Sequence, residues 1–445
     1  MAFIRAAIEE HRGSRAYLTA LDAQQYYDGV NPTINRYEKI LYDMQGKAHV
    51  DMYTANHKLA SSFFRIAVDQ QASYLLGNGI SFADASTSKK LCSDFDIEVM
   101  NAARAALIGG VSFGFWDLEH LHVFEITEFV PLYDEENGAL MAGIRFWRIA
   151  PDKPLRATLY EVDGYTDYFQ PKNGAMVVMT SKRSYKSVEW KAEIGETVIY
   201  DGGNYPDFPI VPLKNNKHQL SELVGKRNTI DALDLANSNM VNNVDEGNLI
   251  YWVLTNCGGM DDLDDAQFVE RLKTTHVAHA NGDEGAHAEA KTIEAPYAGT
   301  SATIDMLRKK LYEDFQCFDA SAVTAGQQTA TAIKASYIPL DLKTDKFELQ
   351  VSKFIIEILR FAGIEDTPSF TRNQIINKQE EVQCLMLGAQ YYDDEYILKK
   401  LLTLNGDADQ FENILDRKAE ATMSRIESIN EPTNEPTNEP AGDVE

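Results

Sequence analysis

The sequence predicts an α+β fold in which helical and β regions occupy separate parts of the chain. Apolar residues recur at helical spacing over residues 55–76, 301–318 and 340–362. Between Val111 and Leu213, β-branched and aromatic residues alternate with polar ones, and turn signals interrupt them. The chain has 445 residues, of which 44% are hydrophobic and 25% charged. It can therefore bury a large core divided among two or three domains.

The N-terminal half is predicted to contain helices followed by an antiparallel β region. The first helix covers residues 55–76, with an apolar stripe of Leu59, Phe63, Ile66, Ala67 and Tyr74. A second helix covers about 95–109 and ends at Gly109-Gly110, because glycine adopts the left-handed conformation that terminates helices. About seven short strands follow from Val111 to Leu213. Proline-rich residues 205–212 are predicted to be an extended connector.

A long helix is predicted over residues 219–247, followed by a small β-α-β-β module over 249–297. The apolar face of the helix consists of Leu223, Ile230, Leu233, Val241 and Val244. Its opposite face is rich in amide and acidic residues, namely Asn228, Asp231, Asp234, Asn242 and Asp245. The strands of the module are predicted at Leu249–Leu254, Thr274–Ala280 and Ala288–Ala295.

The remaining chain is predicted to be mostly helical. A helix begins at about Ser301, a small polar loop covers Ser321–Thr331, and a long helix covers 340–362, with Pro339 at its first turn or producing a kink. Residues 378–425 are predicted to form charged helices. The repeated Asn-Glu-Pro-Thr sequence from Asn430 onwards offers no apolar surface, so residues 429–445 are predicted to be a flexible acidic tail.

The charge balance limits the partners of the chain. Lysine plus arginine number 42 and aspartate plus glutamate 68, which gives a net charge of −26. Proteins that clamp nucleic acids neutralise phosphates with basic side chains, so this balance excludes a simple clamp and disfavours adhesion to anionic membranes. It is compatible with a protein that lets DNA slide past.

Signals for membrane insertion, disulfides and cofactors are weak. The N-terminus lacks the apolar run of a signal peptide, and no run approaches the roughly 20 residues that span a bilayer. The four cysteines are far apart without a CxxC pair, which favours reduced, buried thiols in a cytoplasmic protein: Cys92, Cys257, Cys317 and Cys384. No GxxxxGK[ST], GxSxG or HExxH motif is present, so we predict no cofactor and no catalytic residue.

Two groups of side chains suggest metal ligands, and each has a simpler interpretation. His120 and His122 lie on one face of a predicted strand, where an exposed His-x-His pair is usually ordinary surface. The acidic cluster consists of Asp261, Asp262, Asp264 and Asp265. These residues precede a predicted helix, where acids cap free N–H groups, so capping is favoured over cation binding. We therefore predict no metal site.

Several segments, in this order, resemble those of tailed-bacteriophage portal proteins of the siphophage type. The similar segments are Asn56–Gly77, Ala105–Gly114, Phe208–Asn216 followed by Leu223 and Asp231–Asp234, Ala332–Ala335 followed by Leu340 and Lys343, and Asn405–Glu412. The resemblance spans roughly residues 17–420, and its specificity comes from the order and spacing of the motifs. Thr331 stands where the family usually has a glycine, which leaves the boundary of the adjacent loop open.

The resemblance implies a portal-protein architecture with five parts and a tail. A mixed α/β wing comprises residues 1–218 with 335–363, and two long stem helices comprise 219–248 and 298–319. The small α/β clip is 249–297, the tunnel loop is 320–334 and precedes a long helix, and the helical crown is 364–428. The flexible tail is 429–445.

The resemblance also implies a function without catalysis. A dodecameric ring would occupy one capsid vertex, forming the channel for packaging and ejection of double-stranded DNA. Its partners would be the terminase large subunit, a head-completion adaptor, and the major capsid and scaffolding proteins, with no membrane. The protein would assemble in the bacterial host cytoplasm and reside in the virion. Two alternatives remain: a metal-dependent nuclease using Glu119, His120 and the Asp261–Asp265 cluster, and a non-viral oligomeric scaffold.

Candidate functional residues follow from that architecture. The polar face of helix 219–247 is predicted to form part of an acidic channel wall; alternatively, it is solvated or packs between subunits. Gln327, Gln328 and Lys334 are predicted to approach DNA at the tunnel loop, although a surface loop and a helix cap are the simpler roles. Ile250, Trp252 and Leu254, on a strand that is apolar on both faces, are predicted to form a clip interface.

Overall fold

The computed structural model describes most of the chain and separates it into two compact units. The described residues are 2–42, 45–52, 54–84, 86–171, 174–191, 197–247, 251–255, 287–291, 297–321, 330–373, 378–405, 410–411 and 413–418. The first unit comprises Met1–Ala322 with Ser336–Asn373, and the second comprises Val323–Ala335 with Gln374–Glu445. Mixed helix and strand content is consistent with the predicted α+β class.

The helices are distributed along the whole described chain. They are α1 (Ala2–Gly13), α2 (Arg15–Tyr27), α3 (Pro32–Arg36), α4 (Phe63–Leu76), α5 (Thr87–Lys90), α6 (Phe95–Gly109), α7 (Arg227–Gly247), α8 (Tyr297–Phe315), α9 (Ala330–Phe361), α10 (Lys378–Gly388) and α11 (Asp394–Asn405). None of these helices is long and apolar enough to cross a membrane.

The strands form small antiparallel sheets. They are β1 (Ile40–Tyr42), β2 (Ala48–Val50), β3 (Ile80–Phe82), β4 (Val111–Trp116), β5 (Leu121–Glu125), β6 (Phe129–Tyr133), β7 (Leu140–Trp147), β8 (Arg156–Glu161), β9 (Gly164–Phe169), β10 (Val177–Arg183), β11 (Ser187–Lys191), β12 (Thr197–Asp201), β13 (Ile210–Lys214), β14 (Tyr251–Thr255), β15 (His287–Lys291) and β16 (Pro368–Phe370). The two largest sheets have the orders β10-β9-β8-β7-β6 and β13-β4-β5, and the others are the pairs β1-β2, β11-β12, β14-β15 and β16-β3.

The main core of the first unit lies where α4, α6 and α9 pack around the three-stranded sheet. The predicted inward residues of the last long helix are all buried, namely Phe347, Val351, Phe354, Ile355 and Ile358. All six residues of β4, the central strand, are also buried. At Gly114 on β4, an added Cβ would lie 2.4 Å from the ring of Phe354, so this approach of helix and strand requires glycine. A second cluster packs α1 against the five-stranded sheet.

The β region contains more strands than predicted. The described residues between Val111 and Lys214 contain ten strands, β4–β13. The turns after β4 and β5 contain neither glycine nor proline, so the sequence gives no turn signal there. The predicted connector is also partly wrong, because Ile210–Lys214 pairs with β4. Pro212 is tolerated there since β13 is an edge strand and proline has no N–H to donate.

Three predicted helices begin at different residues in the structure. The helix predicted from residue 55 begins at Phe63, and Leu59 and Ile66 of its proposed stripe are exposed. The helix predicted from residue 219 begins at Arg227, after a turn in which Gly225 has φ of +83°. The helix predicted from residue 340 begins at Ala330, so Pro339 lies inside it rather than at its first turn.

Part of the predicted β-α-β-β module is described. The strand predicted at Leu249–Leu254 is β14, which pairs with β15, and Trp252 lies opposite Ala290 in the register. The predicted strand at Thr274–Ala280 and the Asp261–Asp265 cluster lie outside the described residues. Two helices of the predicted charged region are described, α10 and α11, whereas the predicted tail lies outside.

Candidate functional site

One face of α7 binds an extended segment of the chain through its backbone amides. The donors are the N–H groups of His57, Leu59 and Ser61, and their acceptors are the side chains of Asn242, Ser238 and Asp234, at 2.7, 3.0 and 3.1 Å respectively. The acceptors are four residues apart on a helix and the donors two apart on an extended segment. Both spacings advance by about 6–7 Å, so the two elements match. We call these three contacts the polar ladder.

Asp234 connects the polar ladder to the N-terminal helices. Its carboxylate also accepts a hydrogen bond of 2.8 Å from the side-chain amide of Asn31. Asn31 in turn caps α3 by accepting from the amides of Thr33 and Ile34. Asp234 is 1% exposed, and its burial raises the pKa although the bonds from Asn31 and Ser61 act in the opposite direction. The carboxylate is therefore an internal structural group.

The ends of the same helix face carry further polar contacts. Asp231 accepts from the hydroxyl of Tyr26 at 2.5 Å. Arg227 forms an ion pair of 2.8 Å with Asp22 at the start of the helix. Near the other end, the imidazole of His57 pairs with Asp245, and both side chains are about half exposed.

These contacts correct the predicted channel wall. Asp234 and Asn242 are buried within the chain, so the expectation of a solvent-facing wall is wrong for these two residues. Asn228 is exposed, and Asp245 is partly exposed. The prediction missed the burial because residues 55–62 were expected to be helical, and only an extended segment offers alternate amides to the face. The sequence does contain one sign of this contact, namely the polar side chains of Asp234, Ser238 and Asn242 at intervals of four residues.

A buried ion cluster connects the start of α7 with α8 and α9. Glu222 Oε2 lies 2.8 Å from Lys226 Nζ and 3.0 Å from Lys343 Nζ. Lys343 also donates to the carbonyl of Phe315, the last residue of α8, at 3.1 Å. The Lys226 ammonium lies 4.4 Å from the ring centroid of Phe315, a cation–π contact. This cluster therefore joins three separate segments. Only the Glu222–Lys226 pair has a sequence spacing, four residues, that indicates an ion pair.

The protonation state of Glu222 is determined by its two lysines. Burial alone would raise the pKa of this carboxyl. Lys343 and Lys226 reverse that effect and hold the pKa at about 2, below its ordinary 4.5. The carboxylate is therefore charged at neutral pH. Because the cluster is largely buried, removing Glu222 would leave two lysine ammonium groups in the interior without their counter-charge, whereas removing one lysine would leave the carboxylate paired with the other.

Comparison with known proteins gives the family of this chain. The family described as "Phage portal protein, SPP1 Gp6-like" matches residues 8–423. The chain belongs to the SPP1-like phage portal family. It is 25% identical over 417 residues to the portal protein of Bacillus phage SPP1, covering 86% of this chain and 79% of that protein. It is also 23% identical over 411 residues to the portal protein of Clostridium phage phiCD119, covering 85% and 87%.

Membership of the portal family confirms the main functional prediction. The chain has the function of a phage portal protein. Portals in general form an oligomeric ring with a channel for DNA. The family is structural, which is consistent with the prediction that the chain is not an enzyme. Portal relatives also identify the chain as a component of the virion capsid.

Only some of the remaining candidate portal residues lie in the described part of the chain. Gln327, Gln328 and Ile250 lie outside the described residues, as do the side chains of Trp252 and Leu254. Lys334 is exposed and belongs to α9, so the predicted tunnel loop of 320–334 extends too far at its C-terminal end. The helix can begin earlier because Ala330, Ala332 and Ala335 have high helix propensity.

The two histidines considered as a metal pair have different partners. His122 is on β5, where its Nε2 lies 2.6 Å from Asp117 Oδ2 and its ring stacks on Phe115. His120 precedes the strand, and its Nδ1 lies 3.5 Å from Asp94 Oδ1. The prediction of one shared face is therefore wrong. Asp117 binds the ring of His122 but only the backbone amide of His120.

Proposed function

We propose that this chain is the subunit of a dodecameric portal ring through which double-stranded DNA enters and leaves the capsid. Its match to the portal family over residues 8–423 carries the proposal. The acidic composition supports the conduit, because a net charge of −26 opposes the counterion release that makes basic proteins hold DNA tightly.

An exposed apolar hairpin supports assembly with neighbouring copies. The side chains of β1 and β2 are exposed along both strands, and they include Ile40, Leu41, Tyr42 and Val50. Met52, directly after the hairpin, is 84% exposed. An isolated two-stranded hairpin is only marginally stable in water, and exposed apolar clusters mark interaction surfaces. We assign this hairpin to the contact between adjacent subunits in the ring.

The remaining parts are assigned by the order of elements. Wing, stem, clip and crown take the boundaries predicted from sequence, with α7 and α8 as the stem helices and the segment before Ala330 as the tunnel loop. Asn228, Asp245 and Lys334 are the proposed channel residues in the described chain, and Gln327 and Gln328 are proposed beside them. Asp231 is a weaker candidate, because its side chain is only 16% exposed and accepts from Tyr26. Neutral amides bind passing phosphates weakly, without the counterion release that would trap DNA.

The clip is proposed to bind the proteins that act on the channel in turn. A terminase large subunit would drive packaging, and a head-completion adaptor would replace it at the same surface. Ile250, Trp252 and Leu254 are the proposed anchors, because aromatic and aliphatic side chains dominate binding energies at interfaces. Capsid and scaffolding proteins would bind outside the channel during assembly in the host cytoplasm.

The ring is tested by electron microscopy and native mass measurement of the purified chain. Annular particles of about twelve copies are expected, and a stable monomer at micromolar concentration would contradict the proposal. Tyr42→Asp should shift the population towards monomers because it places a charge in the proposed contact. Asn137→Asp adds the same charge in an exposed turn between β6 and β7 and should leave the ring intact.

The channel is tested separately by packaging. Replacing Gln327 and Gln328 together with lysine should preserve the ring and slow packaging, most strongly at low salt where phosphate contacts are least screened. Replacing both with asparagine is the matched control and should package normally. Equal packaging rates for the lysine and asparagine variants would show that these side chains do not meet DNA.

A further inference from the structure

Three potential metal ligands from two separate loops meet at one end of α6. Cys92 and Asp94 lie in the segment that joins α5 to α6, and His120 lies in the turn that joins β4 to β5. Their ligating atoms all lie within 4.8 Å of one another. Among the residues that the structure describes, no other group of three or more histidine, cysteine, aspartate or glutamate side chains brings its ligand atoms this close together.

Buried neighbours hold the backbone of these two loops in place, while the side chains of His120 and Asp94 stay about half exposed. Leu91 and Phe95 flank the first pair, and both are buried in the main core. Leu121 directly follows His120 and is buried in the same core. The backbone amide of His120 is fixed by a 2.7 Å hydrogen bond to Asp117. A metal would therefore bind a largely preformed site, which lowers the entropic cost of ordering its ligands.

The distance between two of the three ligand atoms fits a tetrahedral metal ion. Zinc bonds of about 2.0–2.3 Å to oxygen, nitrogen and sulfur place neighbouring ligand atoms roughly 3.3–3.8 Å apart in a tetrahedron. His120 Nδ1 and Asp94 Oδ1 are 3.5 Å apart. This distance is long for a good hydrogen bond. It lies within the range expected for two ligands of the same ion.

The Asp94 carboxylate provides a second, independent observation. Asp94 directly precedes α6, yet its side chain makes no capping hydrogen bond to the helix. Its Oδ1 atom is buried from solvent and has no hydrogen-bond partner. The Asp94 side chain as a whole is 46% exposed, yet this one oxygen is shielded from solvent, and a bound cation would supply the close partner it lacks. Helix capping therefore does not explain this residue.

The mixture of ligands selects the metal. Thiolate and imidazole groups bind Zn²⁺ well, whereas Mg²⁺ and Ca²⁺ prefer oxygen ligands alone. One thiolate and one carboxylate also balance the double positive charge of the ion. We propose that Cys92, Asp94 and His120 bind one Zn²⁺ per chain. The ion ties the first turn of α6 to the β4–β5 turn, and water completes its coordination. Its role is structural.

Metal titration of the purified full-length protein tests the proposal. One Zn²⁺ per chain is expected for the unmodified protein, and Cys92→Ala and His120→Ala should each weaken binding by at least about tenfold. His122→Ala is the matched control, because that ring belongs to the Asp117 pair, and it should bind zinc normally. Absence of stoichiometric binding, or equal affinity in the Cys92→Ala and unmodified proteins, would overturn the assignment.

Cobalt substitution gives a readout that does not depend on the stability of a variant. Co²⁺ bound to the unmodified protein should show the near-ultraviolet charge-transfer band of a cobalt–thiolate bond. Cys384→Ala should keep this band and Cys92→Ala should lose it. Absence of the band in the unmodified protein would exclude Cys92 as a ligand, as would its persistence in Cys92→Ala. Ring formation by the unmodified protein does not depend on either result, so the proposed function is tested independently.

Discussion

Lys343 on α9 lies 3.0 Å from the Glu222 carboxylate in the turn that precedes α7, and the two side chains are only 10% and 15% exposed. Lys343 also donates to the last residue of α8. The turn and two helices, which are far apart in the sequence, therefore depend on one buried ion pair. The cost of removing a buried charge's partner is much larger than that of removing a surface pair.

Lys343→Met is expected to destabilise the protein by about 2 kcal/mol. The substitution leaves Glu222 paired with Lys226, so the loss should be smaller than the roughly 3–5 kcal/mol that follows when a buried charge loses its sole partner. Urea unfolding measures the change. Lys310→Met is the control, because Lys310 pairs with Asp314 at the surface and should contribute less than about 1 kcal/mol. Similar losses of stability in the two variants would show that burial does not strengthen the contribution of the Glu222–Lys343 pair.

The dependence of stability on acid pH should report the ionisation of Glu222. Its pKa is about 2 in the folded protein and 4.5 as an ordinary carboxyl, so the folded state favours the charged form. The stabilisation is therefore present above about pH 4.5 and is lost as the pH falls towards about 2, amounting to about 3 kcal/mol. Glu222→Gln should lack this part of the pH dependence. If the stability of the Glu222→Gln and unmodified proteins changed equally with pH over that interval, Glu222 would not be the source of the pH dependence.

Removal of single acceptors from the polar ladder should loosen residues 57–61. Asn242→Ala and Ser238→Ala each leave one backbone amide without its acceptor, at an expected cost of about 1–2 kcal/mol. Hydrogen exchange should accelerate at His57 in the first variant and at Leu59 in the second. Asn228→Ala, on the exposed part of the same helix, should change neither rate. Unchanged exchange in all three variants would show that the segment is held by other contacts.

Two glycine substitutions should have opposite effects. Gly114→Ala places a methyl group 2.4 Å from the Phe354 ring in the main core and should cost about 2 kcal/mol or more. Gly299→Ala adds a methyl group to α8 with no atom within 4 Å, so it should stabilise the helix by about 0.5–1 kcal/mol. Thermal unfolding measures the change in melting temperature of each variant. Equal shifts in the two variants would show that the contact between Gly114 and Phe354 does not limit the size of the side chain there.

Sequence periodicity predicted the elements that the core determines and failed where single polar contacts determine the structure. The buried stripe of Phe347, Val351 and Phe354 was predictable because burial requires apolar side chains at helical spacing. The end of α6 was predictable from Gly110, whose φ is +91°. The start of α4 was not, since residues 57–61 have helical periodicity but bind α7 through their amides.

The candidate site shows the same division. Family membership could be inferred from the order of short motifs, because that order reflects the whole fold. The buried positions of Asp234 and Asn242 could not, since a helical wheel separates polar from apolar faces without showing what covers them. Glu222 and Lys343 gave no signal, because their pairing depends on how distant segments pack together.

The polar ladder also sets a limit on its own length. A helix advances about 6.0 Å over four residues, whereas an extended segment advances about 6.6 Å over two, so each further contact accumulates a mismatch of about 0.6 Å. Three contacts absorb this mismatch within ordinary variation of hydrogen-bond length. Beyond Asn242, the longer side chain of His57 reaches Asp245 instead of another amide. Sliding α7 along the segment would require all three bonds to break together, and a shift of one turn towards the C-terminus of α7 would place Ile230, whose side chain has no acceptor, against a backbone amide. The ladder therefore fixes the axial position of the helix.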